Sequence, residues 1–172
     1  AASLSLPETV VEDTAERRGV TRHVPIGVVG AIAPWNFPII LACFKLAPAL
    51  LAGNTVVLKP SPFTPLTTLK LGELLRGVLP DGVLNIVSGG DDLGPWMTSH
   101  PGIDKISFTG SSATGRKVMA SASATLKRVT LELGGNDPAI VLADVDPAQV
   151  AEQLFWAAFR NTGQICIATK RM

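Results

Sequence analysis

The sequence predicts an α/β fold, a mostly parallel sheet flanked by helices. Two observations predict it: six short apolar runs rich in β-branched residues recur along the chain, and segments with helical periodicity lie between them. Short continuous apolar runs suit strands buried on both faces, as parallel strands are when helices cover them.

The elements follow in order. Residues 1–24 are more polar than the rest and read as an extended arm or hairpin. "PIGVVGAIA" (25–33) is the first core strand. A helix begins at "NFP", with Phe37, Leu41 and Phe44 at i, i+4 and i+7 on one face. "NTVVLKP" (54–60) is the next strand. Residues 65–78 repeat Leu71, Leu74, Leu75 and Val78 at helical spacing, with Thr64 as N-cap and Pro65 at the first helical position. Strands then follow at "GVLNIVSG" (82–89) and "DKISFTG" (104–110), and "SSATGRKVMASA" opens a helix. "RVTLELGG" (128–135) and "PAIVLAD" (138–144) complete the strands. The last helix, 147–160, carries Val150, Leu154, Ala157 and Ala158 on one face, after an Asp146 cap and Pro147. No internal repeat or low-complexity segment interrupts this alternation, which reads as a layered α/β domain.

Composition narrows the function classes. A chain of 172 residues, nearly half of them apolar, is long enough to bury a sizeable core. Its 15 lysines and arginines nearly balance 14 aspartates and glutamates, so no net field favours nucleic acid or an anionic membrane. The opening residues carry acids and no long apolar run, unlike a signal peptide. The longest apolar stretch, "FPIILACFKLAPALLAG", is broken by Lys45 and Pro48 and is too short to span a bilayer. Cys43 and Cys166 are the two cysteines. They could form one disulfide, but the charge balance and missing leader favour a reducing, cytoplasmic setting.

"FTGSSATGRK" (108–117) has the form of a phosphate loop: a strand, a glycine-containing turn and a helix N-terminus, where backbone N–H groups attract phosphate. It is not a Walker A loop, because Gly115 is followed by Arg116, Lys117 and Val118, leaving no hydroxyl for Mg²⁺. The G-x-G-x-x-G pattern also fails. Alone, such a turn is most often an ordinary helix cap.

Its company changes that reading. "PWNFP" (34–38), "LKPSPFTP" (58–65), "FTGS" (108–111), "LELGG" (131–135) and "GQIC" (163–166) occur in this order. Together they resemble the NAD(P)-dependent aldehyde dehydrogenase superfamily, from about residue 20 to the end. The interval from Glu132 to Cys166 is also similar to the family's. The resemblance implies a Rossmann-like sheet, with residues 25–135 as the dinucleotide-binding domain and 136–172 as the beginning of a second, catalytic α/β domain. Complete members are roughly three times this length, so the chain is expected to be an internal piece that does not turn over in isolation. If the chain instead ends at Met172, a non-catalytic dinucleotide-binding or scaffold module is the alternative.

The chemistry of aldehyde oxidation asks for these residue types. Hydride loss is difficult until a nucleophile adds to the carbonyl carbon, and a thiol is a strong nucleophile even when only a few per cent is ionised at pH 7. Cys166 follows the last helix, beside Gly163; a lone cysteine is also commonly a buried, inert one, as Cys43 in "ILACFKL" is taken to be. The resemblance makes Cys166 the nucleophile. It makes the Asn36 amide and the Cys166 backbone N–H the oxyanion donors, although Asn36 between two prolines also suits a plain turn. Glu132 becomes the general base that activates water against a thioester. A related branch that transfers the acyl group to coenzyme A commonly lacks this glutamate, so Glu132 favours hydrolysis to the free acid. Lys45 resembles the family lysine that helps order the site; a snorkelling helix lysine is the local alternative.

The cofactor implied is NAD or NADP, and no metal is implied. Lys59 resembles the lysine that holds the adenosine ribose, and Ser111 the serine at the pyrophosphate helix. Thr109 and Gly110 lie toward the nicotinamide, Gly90 and Gly94 let adenine approach a helix, and Trp35, Ser61 and Gly115 complete the set. Pro62 stands where NAD-preferring members usually carry a glutamate that chelates both ribose hydroxyls; proline neither accepts those bonds nor repels a 2′-phosphate. By resemblance Phe37, Leu41, Phe44, Ile165 and Ile167 line the substrate tunnel, though 37, 41 and 44 also read as a core stripe. Five apolar positions imply a neutral, apolar aldehyde. The resemblance further implies a homo-oligomer at full length.

Overall fold

The polar N-terminal stretch forms an antiparallel hairpin, β1 (Thr9–Asp13) and β2 (Arg18–Thr21), turned by Thr14, whose hydroxyl accepts the Arg17 N–H at 3.0 Å. The computed structural model describes residues 5–172, so residues 1–4 of the expected arm lie outside it.

The expected core strands then build one parallel sheet from β3 (Val28–Ile32), β4 (Thr55–Lys59), β5 (Leu84–Ile86), β6 (Lys105–Thr109) and β7 (Arg128–Glu132). Their order is β5-β4-β3-β6-β7. The crossovers are α1 (Pro38–Leu51), α2 (Leu66–Leu74), α3 (Leu93–Ser99) and α4 (Ser112–Ser123). The chain winds outward from β3 to β5, then returns to β6 on the other side of β3. The β3–β6 seam is therefore the topological switch point, where open α/β sheets bind ligands beyond the strands' carboxyl ends.

Period-2 alternation sorts the side chains into two cores. Val29, Ala31, Val56 and Leu58 meet Ala42 and Leu46 of α1 on one face. Ile32, Ile106 and Phe108 meet Met97 of α3 and Val118 of α4 on the other. The continuous apolar character expected of all the strands holds for β3 and β4 but not for β6 ("KISFT") and β7 ("RVTLE"), which alternate strictly. Their polar residues share the α1 side of the sheet.

Three element expectations need correction. Thr64 does not cap α2: Pro65 takes the N-cap position, and the Thr64 hydroxyl donates instead to the Trp35 carbonyl at 3.0 Å. The same helix ends at Leu74 rather than at 78, because Gly77 adopts a left-handed φ of 79°. The apolar run 138–144 is not a full strand. It supplies only β8 (Asp137–Pro138), paired with the three-residue β9 (Thr169–Arg171). Ile140 and Leu142 are exposed. The last helix, α5 (Pro147–Phe159), is capped by Asp146 as expected, its carboxylate accepting the Ala148 N–H at 3.0 Å. None of its residues is fully buried.

Candidate active site

The carboxyl ends of the strands gather most of the candidate residues at one edge of the sheet. β3 runs into Trp35 and Asn36, β4 into Ser61 and Pro62, β6 into Gly110 and Ser111, and β7 ends at Glu132. The two faces of that edge carry different chemistry.

On the α1 side lies a polar cluster. Lys45 is buried on α1, and its ammonium donates to Thr109 Oγ1 at 2.8 Å and Ser107 Oγ at 3.3 Å. Burial pulls its pKa down to about 8, opposed by the nearby Glu132 carboxylate. Alternation along β7 points Glu132 to this same face, with Thr130, which accepts from the Lys105 ammonium at 2.7 Å. Lys45 therefore bonds to the strand hydroxyls and feels Glu132 through space, rather than snorkelling outward.

The thiol loop meets this edge from the far end of the chain. After α5 a short 3₁₀ turn (Arg160–Gly163) leads to Cys166, and Asn161, Thr162 and Gly163 all take left-handed φ values. Asn36 holds the loop from across the molecule, its Nδ2 donating to the Gln164 carbonyl at 2.9 Å. Asn161 Nδ2 reaches back to the Asn36 carbonyl at 3.5 Å. On the other flank Gly135 lies directly against the Cys166 carbonyl, where an added Cβ would approach to 2.2 Å. Cys166 itself is exposed and Cys43 half-buried, and both thiols are free.

On the opposite face α3 and α4 enclose a cavity of about 450 Å³. Lys59 reaches it because odd-numbered positions of β4 face α3 and α4, as Val57 does. Lys59 is buried as a residue, and its ammonium's hydrogen-bond partner is the Pro60 carbonyl at 3.5 Å, the limit of a bond. Burial lowers its pKa, and Asp91 and Asp92 oppose that shift. A buried cation so poorly satisfied, in a cavity of this size, suits the polar ribose and phosphate end of a dinucleotide.

The remaining candidates divide. Gly94 lines the cavity and has free space where a Cβ would go, whereas Gly90 does not line it. Ser111 caps α4, its Oγ accepting the Thr114 N–H at 3.1 Å. Gly115, grouped with the cofactor residues on sequence grounds, is buried beneath Leu133, where a Cβ would meet Cδ2 at 2.8 Å. Its missing side chain serves helix-to-strand packing. Ser61 is buried and accepts the Phe63 N–H at 3.3 Å, while Pro62 is exposed. Phe37, Leu41 and Ile165 are half-buried, and Phe44 and Ile167 are exposed. The core stripe of α1 is instead Ala42, Lys45 and Leu46, so 37, 41 and 44 belong to another face.

Sequence reasoning missed several residues that fix the geometry. Asn54 Oδ1 accepts the N–H groups of Ile26 at 2.6 Å and Gly27 at 3.1 Å, setting the entry to β3; its place after the "AG" helix stop was the available signal. Asp104 accepts the Val28 N–H at 2.8 Å from the neighbouring strand. Gln164, the acceptor for Asn36, acts through its backbone and carries no side-chain signal.

The profile of the Aldehyde dehydrogenase family matches residues 1–172. The chain is 52% identical over 167 residues to "Putative aldehyde dehydrogenase FUS7" of Gibberella fujikuroi, covering 97% of this chain and 36% of that protein. Among solved structures it is similar to Aldehyde Dehydrogenase C of Pseudomonas syringae, a mutant complexed with NAD+ and octanal, at TM-score 0.86 and 46% identity, covering 89% of this chain and 32% of that one. It is also similar to an E. coli NADP dependent enzyme at TM-score 0.91 and 42% identity, covering 95% and 35%. The chain thus spans about a third of the length of these relatives. Ordered motifs, a parallel sheet with its polar edge and a family match over all 172 residues give one conclusion: this chain belongs to the aldehyde dehydrogenase family.

Proposed function

We propose that the protein carrying this chain oxidises a neutral, apolar aldehyde to its carboxylic acid with NAD(P), Cys166 acting as nucleophile. The observation that carries the proposal is the 2.9 Å bond from Asn36 Nδ2 to the Gln164 carbonyl, which ties "PWNFP" to the thiol loop across the chain. The family's octanal complex and its NAD+ and NADP members support the substrate and cofactor classes.

The mechanism follows from what each residue can do. Cys166 thiolate adds to the carbonyl carbon, and the oxygen takes the charge. The Asn36 amide and the Cys166 N–H stabilise that oxygen; losing one such donor typically costs about 2.7–4 kcal/mol of transition-state stabilisation. Bound NAD(P) supplies a hydride acceptor, and Lys59 and the α3–α4 cavity hold its adenosine end. Loss of hydride from the adduct leaves a thioester on Cys166. Glu132 takes a proton from water, the water oxygen adds to the acyl carbon, and the thiol leaves as the acid forms. Lys45 orients Thr109 and sets the field at Glu132. Lys59 and Glu132 face opposite sides of the sheet, and Gly110 and Ser111, at the carboxyl edge after β6, would hold the middle of a dinucleotide bound to both.

The test is NAD(P)H formation from an aldehyde panel by the protein at its relatives' full length. Cys166→Ala should abolish it while leaving cofactor affinity nearly intact. Glu132→Gln should give a burst of NAD(P)H and an acyl-enzyme visible by mass spectrometry. More than a few per cent of turnover in Cys166→Ala removes that residue as nucleophile. Cofactor binding without NAD(P)H from any aldehyde returns the chain to the non-catalytic reading.

A further inference from the structure

Lys117 is the second lysine of the α3–α4 cavity, and the mechanism leaves it unused. It lines the cavity from α4 with Thr114, Val118 and Ser121, at i, i+3, i+4 and i+7 on one face. Thr98 of α3 donates to Ser121 Oγ at 2.9 Å, which ties the two helices together at this wall. Lys59 enters from the end of β4. The cavity thus presents two ammonium-bearing side chains, and Asp91 is its one acid, with Asp92 acting on Lys59 from the start of α3. Neither lysine is in an ion pair among the described residues. The turn beside Lys59, from Pro60 to Phe63, contains no carboxylate to chelate ribose hydroxyls or repel a phosphate.

We infer that Lys117 is a specificity-determining residue: with Lys59 it grips a phosphate on the adenosine ribose, so the cavity holds 2′-phosphorylated nucleotide in preference to the unphosphorylated one. The inference rests on the cavity being the cofactor site. A phosphate offers each ammonium a charge-assisted hydrogen bond of a kind that a ribose hydroxyl cannot match. Lys117 is exposed and lines the cavity, so its ammonium can turn inward without repacking.

Titration calorimetry of the protein with 5′-AMP, adenosine 2′,5′-bisphosphate and inorganic phosphate tests this. The bisphosphate should bind about tenfold tighter than 5′-AMP, a preference that falls steeply with added salt. Lys117→Met should remove most of that preference and leave 5′-AMP affinity within about twofold, Lys117→Arg should retain it, and Lys117→Glu should reverse it. Unchanged bisphosphate affinity in Lys117→Met and Lys117→Glu overturns the inference and leaves the cofactor site standing. If the wild-type protein binds neither adenosine nucleotide, the cofactor reading of the cavity fails and takes the inference with it. Inorganic phosphate binding as tightly as the bisphosphate would assign the cations to a free anion and also overturn it.

Discussion

Replacing Gly135 with alanine should disturb the thiol loop more than any other one-methyl change near the site. The residue follows β7 and Glu132, and its φ is not in the left-handed region, so alanine is conformationally acceptable there. The obstacle is contact. An added Cβ would lie 2.2 Å from the Cys166 carbonyl oxygen and 2.4 Å from Asp137 Oδ1, where ordinary contact begins at 3.4 Å. Asp137 can rotate away, but a backbone carbonyl moves only with its loop. The strand end and the thiol loop must therefore separate by about 1 Å, and overpacking of this kind costs about 1–3 kcal/mol. A 1 Å misplacement of a catalytic group lowers turnover on the order of 100-fold.

Urea denaturation reads the first effect. Rate of NAD(P)H formation in the full-length enzyme reads the second, and peptide mass mapping of iodoacetamide-treated protein separates Cys166 alkylation from that of Cys43. Gly134→Ala is the matched control, because nothing lies within 4 Å of a Cβ built there; it should stay within about 0.5 kcal/mol of wild type. If Gly135→Ala matched Gly134→Ala in stability, turnover and Cys166 alkylation, the argument from backbone contact would be refuted.

Lys45 makes stability depend on pH. Its folded pKa of about 8 lies below the ordinary 10.5, so between those values the unfolded chain binds more protons and stability rises with pH. From pH 7.5 to 9.5 wild type should gain about 2 kcal/mol relative to Lys45→Met in urea titrations; parallel curves would deny Lys45 its burial penalty. Leu58, with no exposed surface between α1 and the sheet, should cost about 2–5 kcal/mol on truncation to alanine, measured the same way. In the complete enzyme, hexanal should give higher kcat/KM than succinic semialdehyde, since Phe37, Leu41 and Ile165 offer a carboxylate no partner; the reverse order would contradict an apolar tunnel.

How much of this was legible depends on whether the signal was local. β3 and β4 read as buried strands because both faces meet helices, and nothing in their surroundings competes with that pattern. The Asp146 cap was visible because capping is settled within one turn. Thr64 misled because its hydroxyl had a distant competitor, the Trp35 carbonyl, which no spacing rule reveals. The run 138–144 misled because strand formation needs a partner, and apolar character alone does not supply one. The motif residues were found as letters, but the Asn36–Gln164 bond, the Gly135–Cys166 contact and the separation of Lys59 from Glu132 across the sheet exist only in three dimensions.

One part of the site was legible and went unread. β6 and β7 alternate polar and apolar residues strictly, which is the pattern of strands with one buried face, whereas β3 and β4 are apolar on both. The change falls at the β3–β6 seam, where the winding direction also reverses. On the α1 side, α1 and α2 pack over β3, β4 and β5, and the polar faces of β6 and β7 carry Ser107, Thr109, Thr130 and Glu132. Lys45 is the α1 residue that leans across the seam onto those hydroxyls. An apolar residue at 45 would leave Thr109 without this donor and remove a positive charge that interacts with Glu132. A parallel sheet that was apolar throughout would offer Lys45 no hydroxyls and carry no carboxylate at this edge. The alternation in β6 and β7 marks where the apolar core gives way to the polar edge of the sheet, and that change falls at the switch point.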